Sequence, residues 1–426
     1  MNRHVSPWAW IPSLYFAEGL PYVIVMTVST IMYKNLGVSN ADIAFYTSML
    51  YLPWVIKPLW SPVVDLFRSK RWWITIMQLL LGASLGGVAL TLPAPDFFRW
   101  TLMIFWLMAF SSATHDIAAD GYYMLALDER QQSVFVGFRS VFYRIAMIAG
   151  QGGLVFIAGR LMAPAEMHGY ELSPVQSWGI VIGATAILFL LIGLYHTLIL
   201  PHAEATGETE AASSDTGQSL SELILSFFTK PGILTALPFI LLYRLGEAQL
   251  AKIASPFLLD ERAAGGLGVS TEDVGLIYGT IGVLALLAGG ILGGLCASKW
   301  GLKRCLWWMI GAMNLPNLVY VWMAMALPEN FYTISSCIAV EQLGYGFGFT
   351  AFMLYLMYFS QGKYKTSHYA LCTGFMALGM MIPGMFSGRI QEWLGYEHFF
   401  IWVCLCTIPG MIIAAFLKID PSYGKK

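Results

Sequence analysis

The feature of this sequence that most restricts its fold is a series of apolar stretches, each long enough to cross a membrane as a helix. A helix needs about 20 apolar residues to span the hydrocarbon core of a bilayer. The runs are continuous and lack the alternation that a membrane β-barrel would show. We place twelve such stretches in the 426 residues, near 8–33, 42–64, 72–93, 100–122, 134–160, 176–200, 231–258, 273–297, 304–326, 331–359, 368–388 and 396–417. The sequence therefore predicts an all-α membrane protein with twelve transmembrane helices.

Composition and charge exclude several other classes of protein. Charged residues make up 12% of the chain and hydrophobic residues 57%, whereas a soluble protein has about 25% charged residues. The formal net charge of −1 provides no electrostatic basis for binding nucleic acid. The six cysteines form no C-x-x-C pair, so we interpret them as small buried hydrophobic residues. We expect the lipid bilayer as surroundings, no nucleic-acid partner and no metal site.

The distribution of Lys and Arg between the loops indicates orientation. These residues concentrate on the cytoplasmic side of bacterial membrane proteins. If the N-terminus is cytoplasmic, the loops on its side carry most of the basic residues, and the opposite side carries only Lys34, Arg99, Arg160, Arg262 and Arg389. The sequence therefore predicts that both termini are cytoplasmic.

Matched segments in the same order indicate that the chain contains two similar halves. Residues 37–43 (GVSNADI) align with 268–274 (GVSTEDV), and 61–71 align with 294–304, each followed by a Trp pair. A polar stretch between the halves is typical of a flexible linker. We therefore predict an N-terminal six-helix bundle (1–200), a cytoplasmic linker (201–229) and a C-terminal six-helix bundle (230–426). A parallel duplication of this kind resembles the major facilitator transporters, whose fold has two pseudo-symmetric bundles.

Charged residues near the cytoplasmic ends of the helices form a predicted gate. The stretches 61–71 and 294–304 both carry basic residues that can pair with helix ends or acids. Asp120 lies near the cytoplasmic end of its helix, where it can pair with Arg68, Arg139 or Arg144. Contacts of this kind must break when the inner side opens. The predicted cytoplasmic gate comprises Asp65, Arg68, Asp120, Arg139, Lys299 and Arg304.

Ionisable residues in the middle of the predicted helices are the candidates for function. Such a group costs several kcal/mol in hydrocarbon unless it faces water or a partner. Glu18 lies ten residues after Trp8, about 15 Å along a helix, beside the helix-weakening Gly19 and Pro21. Glu247 occupies a similar position in the seventh stretch. The candidate proton or substrate residues are Glu18, Lys57, Asp116, Arg144, Arg244, Glu247 and Glu341.

Several of these residues also allow structural roles. Asp116 and Asp120 lie one turn apart on one helix face, and either can serve a structural network. Lys57 and Arg144 can act as counter-ions or can bind an anionic solute. His115 can titrate or can pack between helices, while Lys252 is expected to extend toward the membrane interface.

Several motifs together resemble the AmpG-type permeases, muropeptide importers of the major facilitator superfamily that are related to acetyl-coenzyme A transporters. They include residues 19–21 (GLP), 57–65 (KPLWSPVVD), 116–120 (DIAAD), 143–144 (YR), 243–248 (YRLGEA) and 341–352. The resemblance spans most of the chain. It implies candidate roles for the matched residues Lys57, Asp116, Asp120, Arg144, Arg244, Glu247 and Glu341.

The resemblance implies proton-coupled import of GlcNAc–anhydroMurNAc peptides across a bacterial inner membrane, for cell-wall recycling. The expected partners are the bilayer and a small amphipathic sugar-peptide. We expect a monomer that needs no cofactor beyond the proton gradient and that is not an enzyme. One alternative is transport of a siderophore, another sugar conjugate or a nucleotide-linked molecule. A more distant alternative is a membrane-embedded enzyme acting on lipid-linked sugars.

Overall fold

The computed structural model describes residues 5–164, 172–202, 220–362 and 364–424, and within these ranges the chain forms helices and no strands. Ten helical segments are long and apolar enough to span a membrane. Eight of them correspond singly to predicted spans and are named by their order in the chain. They are α1 (Pro7–Asn35), α3 (Lys70–Thr91), α4 (Phe97–Ala126), α6 (Pro174–Ile199), α7 (Ile233–Leu259), α8 (Thr271–Trp300), α9 (Leu302–Ala326) and α10 (Phe331–Phe359).

The remaining predicted spans are irregular helices. The second span, α2, consists of two helical parts, Asn40–Met49 and Leu52–Leu66. The fifth, α5, runs over 129–162 and includes the membrane-length segment Gly137–Met162. The last two appear as one apolar segment, Ser367–Ala414, but Gly395 has φ 73° and ψ 169° within it. This residue separates α11 (365–394) from α12 (396–414), so the prediction of an all-α membrane fold with twelve spans is confirmed.

The first pair of duplicated motifs folds in the same way in both copies. Gly37 and Gly268 both have positive φ angles, 79° and 65°. Two residues later, Ser39 and Ser270 cap the following helices, and each hydroxyl accepts a 3.1 Å hydrogen bond from the backbone N–H three residues on. A capping serine satisfies one of the free N–H groups at a helix start. The common geometry agrees with the sequence alignment of the two motifs.

The second pair of duplicated motifs also has a common backbone turn. Gly301 has φ 79°, and the residue aligned with it, Arg68, has φ 66°. Only glycine adopts a positive φ without a steric penalty, because every other residue brings its Cβ close to the backbone. The first copy therefore also has a positive φ at this position although it lacks the glycine.

The chain divides into two compact units. One contains residues 1–36 and 56–218, and the other contains residues 37–55 and 219–426. In the first unit, buried aromatic residues such as Trp10 and Tyr122 form an apolar core. In the second unit, Phe239 and Phe352 belong to a comparable core. Residues 37–55, which contain the first part of α2 and the beginning of its second part, thus belong to the second unit, although most of the first unit follows them in the sequence.

The predicted linker contains a helix. Residues 203–219 lie outside the described residues, but Leu220–Phe228 is helical. Within it, Phe227 is fully buried in the core of the second unit and stacks on Phe375 with ring centroids 5.9 Å apart. Its neighbour Phe228 also contacts Phe375, with ring centroids 6.1 Å apart. This helix lies within the predicted linker (201–229), and the boundaries of that linker stay a prediction.

Candidate functional site

Charged residues from four helices of the first unit meet around Asp116. Asp116 lies on α4, and its carboxylate accepts a hydrogen bond from the ammonium group of Lys57 on α2. Both side chains are mostly buried, with 21% and 27% of their surface exposed. An ion pair removed from water in this way is stable only while both partners are present. The pairing assigns Lys57 a counter-ion role, which was one of its two predicted roles.

Glu18 of α1 lies beside the same carboxylate. Its side chain is buried, and it is within hydrogen-bonding reach of Asp116. Two carboxyl groups can share a hydrogen bond only when one of them carries a proton. The oxygen Oε2 of Glu18 has no hydrogen-bond partner in the described part of the chain. This acid pair can therefore hold a proton between α1 and α4.

The backbone of α1 is irregular just beyond Glu18. Pro21 lies inside the helix and lacks the N–H group that would bond to the preceding turn. The next residues, Ile24–Val28, form a wider π-helical turn. Such turns interrupt the regular hydrogen-bond pattern and are frequent at functional sites. The expectation that Gly19 and Pro21 weaken α1 near Glu18 agrees with this geometry.

Asp120 lies one turn after Asp116 on α4 and pairs with Arg139 of α5. The distance between Arg139 Nη2 and Asp120 Oδ1 is 2.6 Å. The guanidinium group also lies over the ring of Tyr15, 4.6 Å from the centroid. Cation–π contacts of this kind hold a guanidinium in place. Of the three arginines predicted as partners for Asp120, the structure thus selects Arg139.

These five residues, Glu18, Lys57, Asp116, Asp120 and Arg139, are named the first charged cluster. The cluster contains three acids and two permanently basic side chains. With every group ionised, it carries one excess negative charge inside an apolar bundle. A single proton on the acids would make the cluster neutral.

Arg144 of α5 lies apart from these ion pairs. Its Nη1 is 3.3 Å from the sulfur of Met147, which is a weak acceptor. Among the described residues no carboxylate lies within ion-pair distance of Arg144, whose side chain is partly buried. Its guanidinium is therefore available for an anionic group of a solute.

His115 belongs to a buried polar network that crosses the first unit. Its Nε2 is 2.9 Å from the amide nitrogen of Gln78, whose oxygen lies 2.8 Å from His196 Nδ1. His196 Nε2 in turn lies 2.8 Å from the hydroxyl of Ser13. The network links α4, α3, α6 and α1 and favours the packing role of His115. Sequence reasoning missed Gln78, His196 and Ser13, because single polar residues in apolar helices carry no spacing signal.

A second group of charged residues lies within the second unit. Glu247 of α7 and Glu341 of α10 are both buried and lie close enough to repel each other. Gln342 donates a 2.9 Å hydrogen bond to Glu341 Oε2. Arg244, at the break between the two parts of α7, lies near enough to attract Glu247. We name Arg244, Glu247 and Glu341 the second charged cluster. Like the first cluster, it contains one more acid than base.

Aromatic side chains surround Arg244. Its guanidinium donates a hydrogen bond to the hydroxyl of Tyr345 and lies 4.9 Å from the ring centroid of Phe349. Tyr243 turns the other way, donating a 3.0 Å hydrogen bond to the carbonyl of Gly348 and stacking on Phe352. Tyr345 therefore lies at the second charged cluster, whereas Tyr243 packs in the core of the second unit.

The predicted cytoplasmic gate is only partly formed. Asp120 and Arg139 pair, but Arg68 lies 6.0 Å from the ring of Trp72, and Lys299 lies 5.0 Å from that of Trp300. Arg304 is exposed, and none of Arg68, Lys299 and Arg304 forms an ion pair with a described residue. The side chain of Asp65 lies outside the described residues. The gate role of these residues stays a prediction.

The expectation for Lys252 is wrong. Its side chain does not extend to the membrane interface but is buried, with 4% of its surface exposed. The ammonium group donates a 3.0 Å hydrogen bond to the hydroxyl of Thr47 in the first part of α2. A lysine in an apolar helix gives the same sequence signal whether it faces lipid or protein, so its burial depends on the packing.

Comparisons with known proteins support the transporter interpretation. The family model described as Major Facilitator Superfamily matches residues 13–370. The Anhydromuropeptide permease of Escherichia coli (strain K12) is 24% identical over 412 residues, covering 94% of this chain and 77% of that protein. A protein of Rickettsia conorii that carries the name transporter AmpG 4 is 24% identical over 414 residues, covering 95% of both chains.

Solved structures show the same fold. The crystal structure of the D-xylose-proton symporter superposes with a TM-score of 0.69 at 14% identity and covers 98% of each chain. The crystal structure of the nucleoside transporter NupG superposes with a TM-score of 0.69 at 15% identity, covering 96% of this chain and 99% of that one. Similarity at this level of identity establishes the fold and does not identify the solute.

The family assignment settles the class of activity. Major facilitator proteins are transporters, which removes the alternative of a membrane-embedded enzyme. The apolar helices and the relatives agree on a multi-pass protein of a bacterial inner membrane. The chain is similar over nearly its whole length to permeases of the AmpG type, and it belongs to the Major Facilitator Superfamily.

Proposed function

We propose that this chain imports anhydro-muropeptides across the inner membrane, by alternating access and together with protons. The solute class is supported by the relatives, one of which is named Anhydromuropeptide permease and covers nearly all of this chain. We further propose that the chain works as a monomer with both termini in the cytoplasm, as the distribution of Lys and Arg predicts. The six-helix halves 1–200 and 230–426 would be the moving parts of the cycle.

The observation that supports proton coupling is that each charged cluster contains one more acidic residue than basic residues. A net negative charge in an apolar bundle is costly, and a proton removes it. In the first cluster the proton would be shared by Glu18 and Asp116, and in the second by Glu247 and Glu341. A transporter whose conformations differ in affinity for that proton uses the proton gradient to drive the solute.

The anionic character of the solute is supported by basic groups near these acids. Arg144 makes no ion pair among the described residues. Arg244 lies among Tyr345 and Phe349, which present aromatic surface. Guanidinium groups bind carboxylates through two parallel hydrogen bonds. Muropeptides carry several carboxylates and two sugar rings, so they match both features.

The test is uptake by the purified protein in proteoliposomes. The labelled GlcNAc–anhydroMurNAc tripeptide is offered with and without an imposed gradient that drives protons inward. We expect uptake above the external concentration with the gradient and only equilibration after a protonophore is added. An uptake rate and final level that are the same with and without the imposed gradient would contradict proton coupling.

The solute and the acids are tested in the same assay. Free sugars, siderophores and nucleotide sugars are offered as competitors, and stronger competition by one of them than by unlabelled muropeptide would overturn the solute assignment. Glu18→Gln and Glu247→Gln are expected to lose stimulation by the gradient. Glu397→Gln makes the same change on an exposed residue and is expected to behave as the wild type.

A further inference from the structure

Lys252 is a buried basic residue, and in the described part of the chain no acidic side chain pairs with it. Its ammonium group contacts the hydroxyl of Thr47 at 3.0 Å and lies 5.5 Å from the ring centroid of Tyr51. No carboxylate of the described residues lies within ion-pair distance of it. Thr47 already donates its own proton to the carbonyl of Ile43 at 2.7 Å, so it acts only as an acceptor for Lys252.

The surroundings of Lys252 are polar but uncharged. A Cβ added to Gly384 of α11 would lie 2.6 Å from Ser48 Oγ on α2 and 3.4 Å from the carbonyl oxygen of Ala248, which is one turn before Lys252 on α7. The hydroxyl of Ser48 is buried and has no hydrogen-bond partner in the described part of the chain. Helices α2, α7 and α11 therefore meet here with a cation and an unused hydroxyl.

This arrangement is costly if it serves only packing. An ammonium group removed from water loses several kcal/mol of hydration, and one hydroxyl and one ring restore only part of it. A methionine would fill the same volume without that cost. A buried charge without a partner is explained if an anion joins it during the transport cycle.

We propose that Lys252, together with Thr47, forms a subsite for one carboxylate of the transported solute. The proposal rests on the proposed function, because it takes the solute to be anionic. The subsite is separate from both charged clusters, in which the basic residues that pair already have acidic neighbours. In this subsite, Lys252 would favour solutes that carry a carboxylate at the matching position.

The experiment combines changes in the protein with changes in the solute. Uptake of the GlcNAc–anhydroMurNAc tripeptide is compared with uptake of forms in which one carboxylate at a time is converted to an amide. With the wild type, one of these amides is expected to raise KM about tenfold or more, since it loses a charge-assisted hydrogen bond. With Lys252→Met, KM is already high for the unmodified solute, and that one amide causes no further change.

Two further variants keep the test decisive. Lys418→Met removes an exposed ammonium group and is expected to leave the KM for every form unchanged. Thr47→Val retains the charge of Lys252 but removes its hydroxyl partner, and it is expected to raise KM by a smaller factor for the same forms. This variant also covers the case in which Lys252→Met does not fold.

The outcomes separate this proposal from the proposed function. If the wild type does not take up the muropeptide, the proposed function fails. If the wild type takes it up but Lys252→Met slows all forms equally and leaves the amide effect intact, the subsite is overturned. That result would mean that Lys252 supports the packing of α2 and α7, or binds one of the chain's own carboxylates in another conformation.

Discussion

The ammonium group of Lys57 on α2 donates a hydrogen bond to the carboxylate of Asp116 on α4, and both side chains are mostly enclosed by the first unit. This pair determines how the neighbouring acids can behave. Asp116 also lies beside the buried acid Glu18, so its carboxylate adjoins both a basic residue and a second acid. The ion pair and the acid pair thus share one carboxylate.

Replacing one partner of this ion pair should lower the stability of the protein more than replacing both. Lys57→Met or Asp116→Asn leaves an uncompensated group, and each is expected to lower the free energy of unfolding by about 1–3 kcal/mol, below the range for fully buried pairs. The double variant is expected to recover part of that loss. Thermal unfolding in detergent measures the coupling as a double-mutant cycle, and strictly additive losses would show that the two residues do not interact.

Tyr15 is expected to act through its ring and not through its hydroxyl. The ring lies 4.6 Å from the guanidinium of Arg139, whereas the hydroxyl is buried without a hydrogen-bond partner in the described residues. Tyr15→Phe keeps the cation–π contact and should leave stability unchanged or raise it by up to about 1 kcal/mol. Tyr15→Leu removes the contact and should cost about 1 kcal/mol or more. A lower unfolding midpoint for Tyr15→Phe than for Tyr15→Leu would contradict this assignment.

The positive φ of Arg68 predicts a benefit from glycine. Arg68→Gly and Arg68→Ala both remove the side chain, but only glycine accepts φ 66° without strain. We expect the glycine variant to be the more stable of the two by about 1 kcal/mol. The aligned Gly301 supplies the opposite experiment, since Gly301→Ala should lower the unfolding midpoint. Equal midpoints for the two Arg68 variants would mean that this turn carries no strain.

Gly388 on α11 is expected to tolerate no side chain. A Cβ at this position would lie 2.1 Å from the carbonyl oxygen of Asn40 and 2.7 Å from the Cα of Ala41. Both atoms belong to the backbone of α2 and cannot move away by a change of rotamer. Gly388→Ala should therefore lower the free energy of unfolding by about 1–3 kcal/mol. Gly294→Ala on α8 is the matched control, because a Cβ there meets nothing within 4 Å. An unchanged unfolding midpoint for Gly388→Ala would show that α2 and α11 are not in this contact in solution.

Local patterns in the sequence were sufficient to locate the membrane-spanning helices, whereas the helix Leu220–Phe228 was assigned to the linker. Runs of apolar residues predict spans because the length of the hydrocarbon core is fixed. The serine caps at Ser39 and Ser270 depend on the three residues that follow them. These are properties of neighbours in the chain, so they can be recognised without knowledge of what packs against them.

The composition of the candidate site was predicted, but its pairings were not. Glu18, Lys57, Asp116 and Asp120 were identified because ionisable residues are rare in apolar helices. The sequence left three arginines as partners for Asp120, and the structure has Arg139 in contact with it. Choosing among them needs the rotation of α4 against α5, which depends on side chains of both helices.

The sequence by itself determined that this chain crosses a membrane many times, that it repeats a helical pattern, and which rare charges lie inside. Only the tertiary structure decided that Lys252 is buried against Thr47, that the first part of α2 packs with the second unit, and which basic residue pairs with each aspartate of the first charged cluster. Hydrophobic length and helix capping act over a few residues, whereas burial and ion pairing join residues that are distant in the chain. The first kind of information is written in consecutive residues, and the second arises only when the helices pack.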